Sequence, residues 1–368
     1  MKNFACPVCS NKVYFENMRC MNCGHRLGFD DLSLTIVAMT PKPSGVDCRK
    51  TAKSGKPIVT RYCANEAQGV CNWLAVAGSP DGLCSGCKLN GTIPNLSETG
   101  GLDAWRQLER AKKRMLYSFR RFGLCFDGAA KGSVPLRFDF MRHSLTGYMN
   151  GVITIDIQEV DAVEREKLRQ KFQEPYRTLL GHFRHESGHF FWPALVANRG
   201  RYEEFRKLFG DERADYGQAL SHYHNGGPPA DWQSRFVSTY ASAHPWEDWA
   251  ETWAHYLHMV SVLDTADAVG MDPRAAGIIF GAIWPFATRD VYRAESCEQL
   301  VERWIPLTIA LNSLNRAIGH EDFYPFVLSK SARAKLAFVH DAIHGAAGSA
   351  RSNPFKYLLD QLAGRHAN

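Results

Sequence analysis

The 368-residue chain lacks a long apolar run: Met1-Lys-Asn-Phe-Ala-Cys6 opens it without one, and no later segment approaches the roughly 20 residues that span a bilayer. No membrane partner is expected, and the cytoplasm is the expected compartment. A strong charge bias is also missing. Lys and Arg number 44 against 38 Asp and Glu, and the net +6 is mild over this length, which argues against a nucleic-acid surface built on bulk charge. Cysteine is scarce over most of the chain, since nine of the 11 fall between residues 6 and 87. That clustering has metal-ligand spacing rather than the spread of a disulfide framework, so reduced, zinc-bound thiols are expected there. Cys125 and Cys297 stand alone and are expected in the core.

What is present begins with cysteine pairs. Cys6-Pro-Val-Cys9 and Cys20-Met-Asn-Cys23 are two knuckles around a short polar segment. Each turns two thiolates toward one point, and four thiolates close a tetrahedral site with no open position, which makes the site structural. His25 is an alternative to Cys23. A second four-thiolate site is expected from Cys63, Cys71, Cys84 and Cys87, with Cys48 an alternative ligand. Between the groups, Leu32 to Val37 reads as a strand or packed segment, and Trp105 to Phe119 reads as a helix with a basic, solvated outer face.

His185-Glu186-Ser-Gly-His189 carries the chemistry. Residues four apart share one helical face, so both imidazoles reach one metal while Glu186 sits beside them as a general base. The helix is expected to open at Glu174-Pro175 and to stop at Trp192, before Pro193, with Gly188 leaving space beside the metal. Gly151 to Ile157, rich in β-branched residues, reads as a strand, and as an edge strand along which an extended substrate could add.

A catalytic zinc takes a third protein ligand. The helix expected after His244-Pro245 presents Glu247, Glu251, His255 and His258 on one side and Trp246, Trp249, Trp253 and Leu257 on the other. Glu247 is the expected third ligand, and Glu251, one turn on, is expected to orient a ligand histidine; the two roles are exchangeable at this stage. Downstream, Pro273 to Trp284 and Leu300 to Ala317 read as apolar helices with Trp284 and Trp304 in the core. His320-Glu-Asp322 reads as a polar loop, and residues 334 to 344 as a helix with His340 and His344 at the surface.

Three runs carry a resemblance. They are Cys63 to Cys87, Pro175 to His189, and Tyr240-Ala-Ser-Ala-His-Pro-Trp-Glu-Asp-Trp-Ala-Glu251 onward to His258. With them the chain resembles the bacterial zinc-binding metallopeptidases that carry an N-terminal zinc-ribbon region. The two active segments are also similar to those of gluzincins of the lethal-factor type. That likeness implies a Glu-x-x-Ala-Glu helix supplying the third ligand, here Glu247 to Glu251. It also implies a tyrosine seven residues before that ligand as oxyanion donor, here Tyr240, with His244 an outside candidate.

The expected fold is α+β: a mostly helical zincin-like domain with a small sheet, preceded by small zinc-ribbon modules. The expected segments are a zinc ribbon at 1–30, a second cysteine-rich module at 31–100, the metallopeptidase domain at 101–345 and a tail at 346–368. The expected cofactor is zinc, one catalytic ion and two structural ones. The expected partner is a peptide or protein whose amide bond is cleaved; oligomeric state is not readable. Two other functions compete, an amidase acting on an isopeptide or small amide, and a zinc-ribbon binding protein with a non-catalytic zincin domain. Residues 1–30 carry few cations, which weighs against nucleic acid as that protein's partner.

Overall fold

The computed structural model describes residues 2–40, 48–53, 56–128, 134–171, 174, 176–272 and 290–350. The helix expected at 273–284 and the tail from 351 lie outside them. The chain packs as two compact units, one of residues 1–121 and 134–165, the other of residues 122–133 and 166–368.

The first unit holds every strand among the described residues. β1 (Phe4–Ala5) pairs with β2 (Lys12–Val13), and β3 (Leu27–Asp30) with β4 (Thr35–Ala38), both antiparallel. β5 (Cys48–Lys53), β6 (Lys56–Tyr62) and β7 (Leu74–Val76) form a three-stranded meander. The fourth sheet has the order β10 (Gly147–Met149), β11 (Val152–Asp156), β9 (Arg137–Met141), β8 (Asn90–Thr92). The strand read at 151–157 is therefore β11, and it is not an edge. It pairs antiparallel with β10 and parallel with β9. The tight turn at Asn150 and Gly151, both with positive φ, folds β10 back onto it and covers the free side.

Two small sheets and α1 (Gly101–Phe122) share one aromatic core. Phe15 and Phe29 meet edge to face at 4.7 Å, Trp73 lies 5.1 Å from Phe29, and Tyr117 of α1 lies 5.5 Å from Phe15. Modules of this size have little apolar surface to bury, and packing both against one long helix supplies what neither has alone. The basic face expected on α1 is only partly solvated. Lys112 and Lys113 are buried, paired with the buried Glu109 at 2.5 and 3.0 Å, and Asn90 Nδ2 donates to Glu109 Oε1 at 2.7 Å. The periodicity that marks the outer face cannot show that a second layer covers it.

The second unit is helical among the described residues. α2 (Ala162–Lys171) runs across the division between units, and α3 (Leu179–Leu195), α4 (Tyr202–Phe209), α5 (Tyr216–Gly226), α6 (Trp232–Arg235), α7 (Pro245–Val269), α8 (Cys297–Ala317) and α9 (Lys330–Ala350) follow. α7 is the central helix, packing against α3, α8 and α9. Trp249 and Trp253 of α7 are fully buried, against Phe205, Phe209, Phe338 and Phe191. Trp304 and Cys297 are core residues as expected, whereas Cys125 is exposed. His340 is buried rather than at the surface, its Nδ1 2.9 Å from the Tyr256 hydroxyl, because α9 turns that face onto α7. His320 to Asp322 is a loop, held by the Arg316–Asp322 ion pair at 2.6 Å. None of the described helices is long and apolar enough to cross a membrane.

Glu109 is the one carboxylate between two buried ammonium groups. Removing one member of a buried ion pair costs roughly 3–5 kcal/mol, because the remaining charge is left uncompensated. Glu109→Ala is expected to lower the unfolding free energy of the first unit by about that amount in urea titration, and a loss below about 1 kcal/mol would contradict the burial.

Candidate metal centres and active site

The two cysteine groups come first in the chain, and the two knuckles of the first are built alike. In the first, the Cys6 amide donates to the Asn11 carbonyl at 2.8 Å and the Ser10 amide to the Cys6 carbonyl at 2.9 Å. The second knuckle repeats both bonds, from Cys20 to His25 and from Gly24 to Cys20, each at 2.9 Å. Ser10 and Gly24, at matching positions, both take positive φ to close the turn. The four sulfurs of Cys6, Cys9, Cys20 and Cys23 gather, and so do those of Cys63, Cys71, Cys84 and Cys87. Four thiolates about 2.3 Å from a tetrahedral zinc lie about 3.8 Å from one another. The Cys6–Cys23 and Cys9–Cys20 separations are 3.7 Å and the Cys71–Cys84 separation is 3.6 Å, which fits zinc and is far from the roughly 2.05 Å of a disulfide. His25 is not in the first group, and the Cys48 side chain lies outside the described residues.

The second group has a charged support. Lys113 Nζ reaches the Val70 carbonyl at 3.3 Å, and Cys87 Sγ lies 3.8 Å from Glu109 Oε2. Burial alone would lower the Lys113 pKa, but the thiolate of Cys71 and then Glu109 outweigh it and hold the ammonium charged. Four thiolates around a divalent ion leave a double negative charge, and Lys112 and Lys113 set against Glu109 return part of it.

The third group lies between α3 and α7. α3 opens at Leu179, later than the expected start, because Thr178 is extended and its Oγ1 accepts from the Gly181 amide at 3.0 Å. Pro175 lies outside the described residues. The helix nevertheless continues through Pro193 to Leu195, forgoing at Pro193 the one N–H bond that would have gone to the His189 carbonyl. α7 opens at Pro245 behind His244, whose Nδ1 accepts from the Trp246 amide at 3.1 Å. That bond fixes the tautomer, so His244 Nε2–H donates to the Ala214 carbonyl at 3.1 Å. His244 is thus a helix cap, and both ring nitrogens are used away from the candidate oxyanion position.

One contact sets the register of the two helices. A Cβ on Gly188 would stand 2.9 Å from Ala250 Cα, so glycine is there to let the backbones approach, not to leave room for a metal. Trp249 Nε1–H donates to the Gly188 carbonyl at 2.8 Å, and Trp253 Nε1–H to Ser187 Oγ at 3.0 Å. His185 and His189 flank Gly188 at the same offsets at which Glu247 and Glu251 flank Ala250, so fixing this contact brings the two pairs face to face.

The geometry that follows is specific. His185 Nδ1 lies 2.7 Å from Glu251 Oε1 and its Nε2 lies 2.9 Å from Glu247 Oε2; His189 Nε2 lies 3.5 Å from Glu247 Oε1. Two light-atom ligands about 2.0–2.1 Å from a tetrahedral zinc lie about 3.3–3.4 Å apart, so this donor set fits the ion. Ser238 Oγ–H donates to Glu251 Oε2 at 2.6 Å, so both Glu251 oxygens are engaged and Glu247 is the carboxylate grouped with the two imidazoles. Asp248 faces away, its Oδ2 2.5 Å from the buried Lys335 Nζ. His255 and His258 stay outside the group: His255 Nδ1 is hydrogen-bonded to the Tyr324 hydroxyl at 2.7 Å, and Arg184 Nη1–H donates to His258 Nδ1 at 2.6 Å.

Burial shapes the electrostatics. It lowers the His185 pKa by itself, but hydrogen bonds to Glu247 and Glu251 outweigh it and hold the imidazole well above the usual histidine range. Glu247 goes the other way, since burial raises it and the charge on His189 with the bond to His185 pulls it well below the carboxylate range. Glu186 is raised by burial, which outweighs the lowering by the neighbouring His185 and His189. Tyr240, in a turn of 3-10 helix before α7, has its ring 5.8 Å from that of His185, and burial keeps its hydroxyl protonated and a donor.

Three contributors had no sequence signature. Ser238 holds Glu251, Tyr216 O–H donates to Glu247 Oε1 at 2.6 Å, and the Tyr223 ring stands 5.7 Å from that of Tyr240. Only Asp215, an N-cap residue whose Oδ1 accepts from the Gln218 amide at 2.8 Å, announces the helix that carries both tyrosines.

Gly188→Ala tests the register. Overpacking at a closed contact costs about 1–3 kcal/mol, and here the shift it forces separates the two ligand pairs. The variant is expected to melt lower and to lose zinc from the third group while retaining it at both cysteine groups, as read by metal analysis. Full retention at all three would show that the contact does not set the site.

Residues 101–342 match the model of a family described as "Putative zinc-binding metallo-peptidase", and residues 3–98 match a zinc-ribbon domain model. An uncharacterized protein of Mycobacterium tuberculosis and another of Mycobacterium bovis are each 40% identical over 349 residues, covering 93% of this chain and 95% of theirs. No solved structure matches the chain. With its third group of donors inside the first matched segment and both cysteine groups inside the second, the chain belongs to that zinc-binding metallo-peptidase family and carries an N-terminal zinc-ribbon domain.

Proposed function

We propose that the protein is a gluzincin-type zinc hydrolase that cleaves a peptide or protein amide bond, with the catalytic ion held by His185, His189 and Glu247. The observation that carries this reading is the convergence of one donor atom from each of those three residues within 4.8 Å of one another, with the buried Glu186 alongside. Zinc held there would polarise the scissile carbonyl and bring the pKa of a coordinated water toward about 7.

The chain's own residues do the rest. Glu186 takes the proton of the attacking water and delivers it to the leaving amine, a role worth roughly 100 to 10,000-fold in rate. Its environment suits that work, because burial favours the neutral carboxyl and makes the anion a better base. Tyr240 donates its O–H to the oxygen on which charge develops. Glu251, fixed by Ser238, holds His185 through Nδ1 and so leaves Nε2 facing the ion.

Glu186→Gln is expected to keep zinc and abolish hydrolysis of a peptide library, and retained turnover would remove Glu186 from the mechanism. In the wild type the base must be ionised, so kcat/KM should fall as pH drops through the raised Glu186 pKa. The acid limb then lies above the usual glutamate value of about 4.3, and a limb at or below that value would contradict the assignment. An isopeptide-linked substrate run beside the library separates ordinary peptide cleavage from deconjugation.

A further inference from the structure

We propose that α5 is a positioning element for the reacting groups, in which Tyr216 sets the carboxylate of Glu247 and Tyr223 sets the ring of Tyr240. The inference rests on the roles given above to Glu247 and Tyr240, and it assigns two residues that lie outside both the His185–His189 motif and the Tyr240–His258 run.

The argument starts from what does not hold α5 in place. None of its 11 residues is buried, so apolar packing does not explain where it sits. Its attachments are aromatic and polar instead, and they lead to the site. Tyr216 and Tyr223 are seven residues apart, two turns of helix, and so share one face. From that face the Tyr216 hydroxyl reaches Glu247 Oε1 at 2.6 Å, and the Tyr223 ring meets Tyr240 edge to face, with centroids 5.7 Å apart and planes at 74°. The start of the helix is tied down separately. His244, the cap of α7, donates to the Ala214 carbonyl at 3.1 Å, and its ring lies 5.1 Å from that of Tyr216. The first turns of α5 and α7 are thereby fixed to each other through one histidine.

Each tyrosine has a defined consequence. Glu247 has two oxygens facing the imidazoles, Oε2 toward His185 and Oε1 toward His189. A hydroxyl donated to Oε1 occupies that oxygen and stops the carboxylate from rotating, which leaves Oε2 as the oxygen presented to an ion. Outer partners of this kind typically change metal affinity roughly 10 to 100-fold. Tyr223 acts on a different coordinate. Tyr240 lies on a short 3-10 turn, and an edge-to-face partner restricts its ring, which stands 5.8 Å from that of His185.

The two roles separate experimentally in the full-length, zinc-loaded protein. Zinc affinity of the third group is measured by chelator competition in a Glu186→Gln background, with the cysteine groups read in parallel by their thiol reactivity. Tyr216→Phe removes only the hydroxyl and is expected to weaken that affinity roughly 10 to 100-fold without releasing zinc from the cysteine groups. Tyr223→Leu, in the otherwise wild-type protein, is expected to lower kcat about 10-fold or more with zinc affinity and melting temperature unchanged, and Tyr223→Phe to restore kcat. Wild-type zinc affinity in Tyr216→Phe overturns the first role. Unchanged kcat in Tyr223→Leu, or a parallel drop in melting temperature in both Tyr223 variants, overturns the second. Because the affinity arm needs no turnover, failure of the hydrolase reading leaves a different signature: weakened zinc in Tyr216→Phe beside a wild-type protein that cleaves neither the peptide library nor the isopeptide-linked substrate.

Discussion

The approach of Gly188 to Ala250 is the contact on which the site depends. It brings the two helices so near that a Cβ on Gly188 would stand 2.9 Å from Ala250 Cα. The four charged and imidazole side chains that matter lie at matching offsets on either side of this point, so their meeting is a consequence of register. The two tryptophan N–H bonds to the Gly188 carbonyl and Ser187 hydroxyl then lock rotation, leaving little freedom for either helix. A larger residue at either position would act first on geometry and only then on chemistry.

Charge is the second constraint. Glu186, Glu247 and Glu251 are gathered around His185 and His189 in a buried space, and three carboxylates close together repel one another strongly at low effective dielectric. A divalent ion would relieve that repulsion, and the hydroxyls of Ser238 and Tyr216, each directed at one carboxylate, do so in part. The cysteine-rich region solves the opposite problem with the same physics: thiolates concentrated at a point are set against buried lysines on α1. In both units the polar interior is organised around charges that need a partner.

Much of this could be read from the chain. Paired knuckles marked the first thiol group, because each knuckle's ligand geometry is a local property of a few neighbouring residues, while the second was marked by four cysteines crowded between 63 and 87 with one knuckle among them. His185, Glu186 and His189 were legible for the same reason, four residues being one turn. Glu247 was reachable because it follows a proline that starts a helix. What stayed hidden was whatever depended on a partner distant in sequence. The solvated basic face of α1 proved to hold buried Lys112 and Lys113, β11 proved to be interior, and His340 proved to be buried under α9 packing.

The sequence by itself determined the chemistry available: which residues donate to metal, at what spacing, and on which helical faces, all set by covalent connectivity and a period of 3.6 residues. Only the tertiary structure decided which oxygen of Glu247 faces His185, that Glu251 is fully engaged by His185 and Ser238, that His244 caps a helix, and that α5 delivers two tyrosines to the site. The physical reason is the range of the forces involved. Hydrogen bonds and close packing act over a few ångströms, and residues tens of positions apart come within that distance only once the helices have packed.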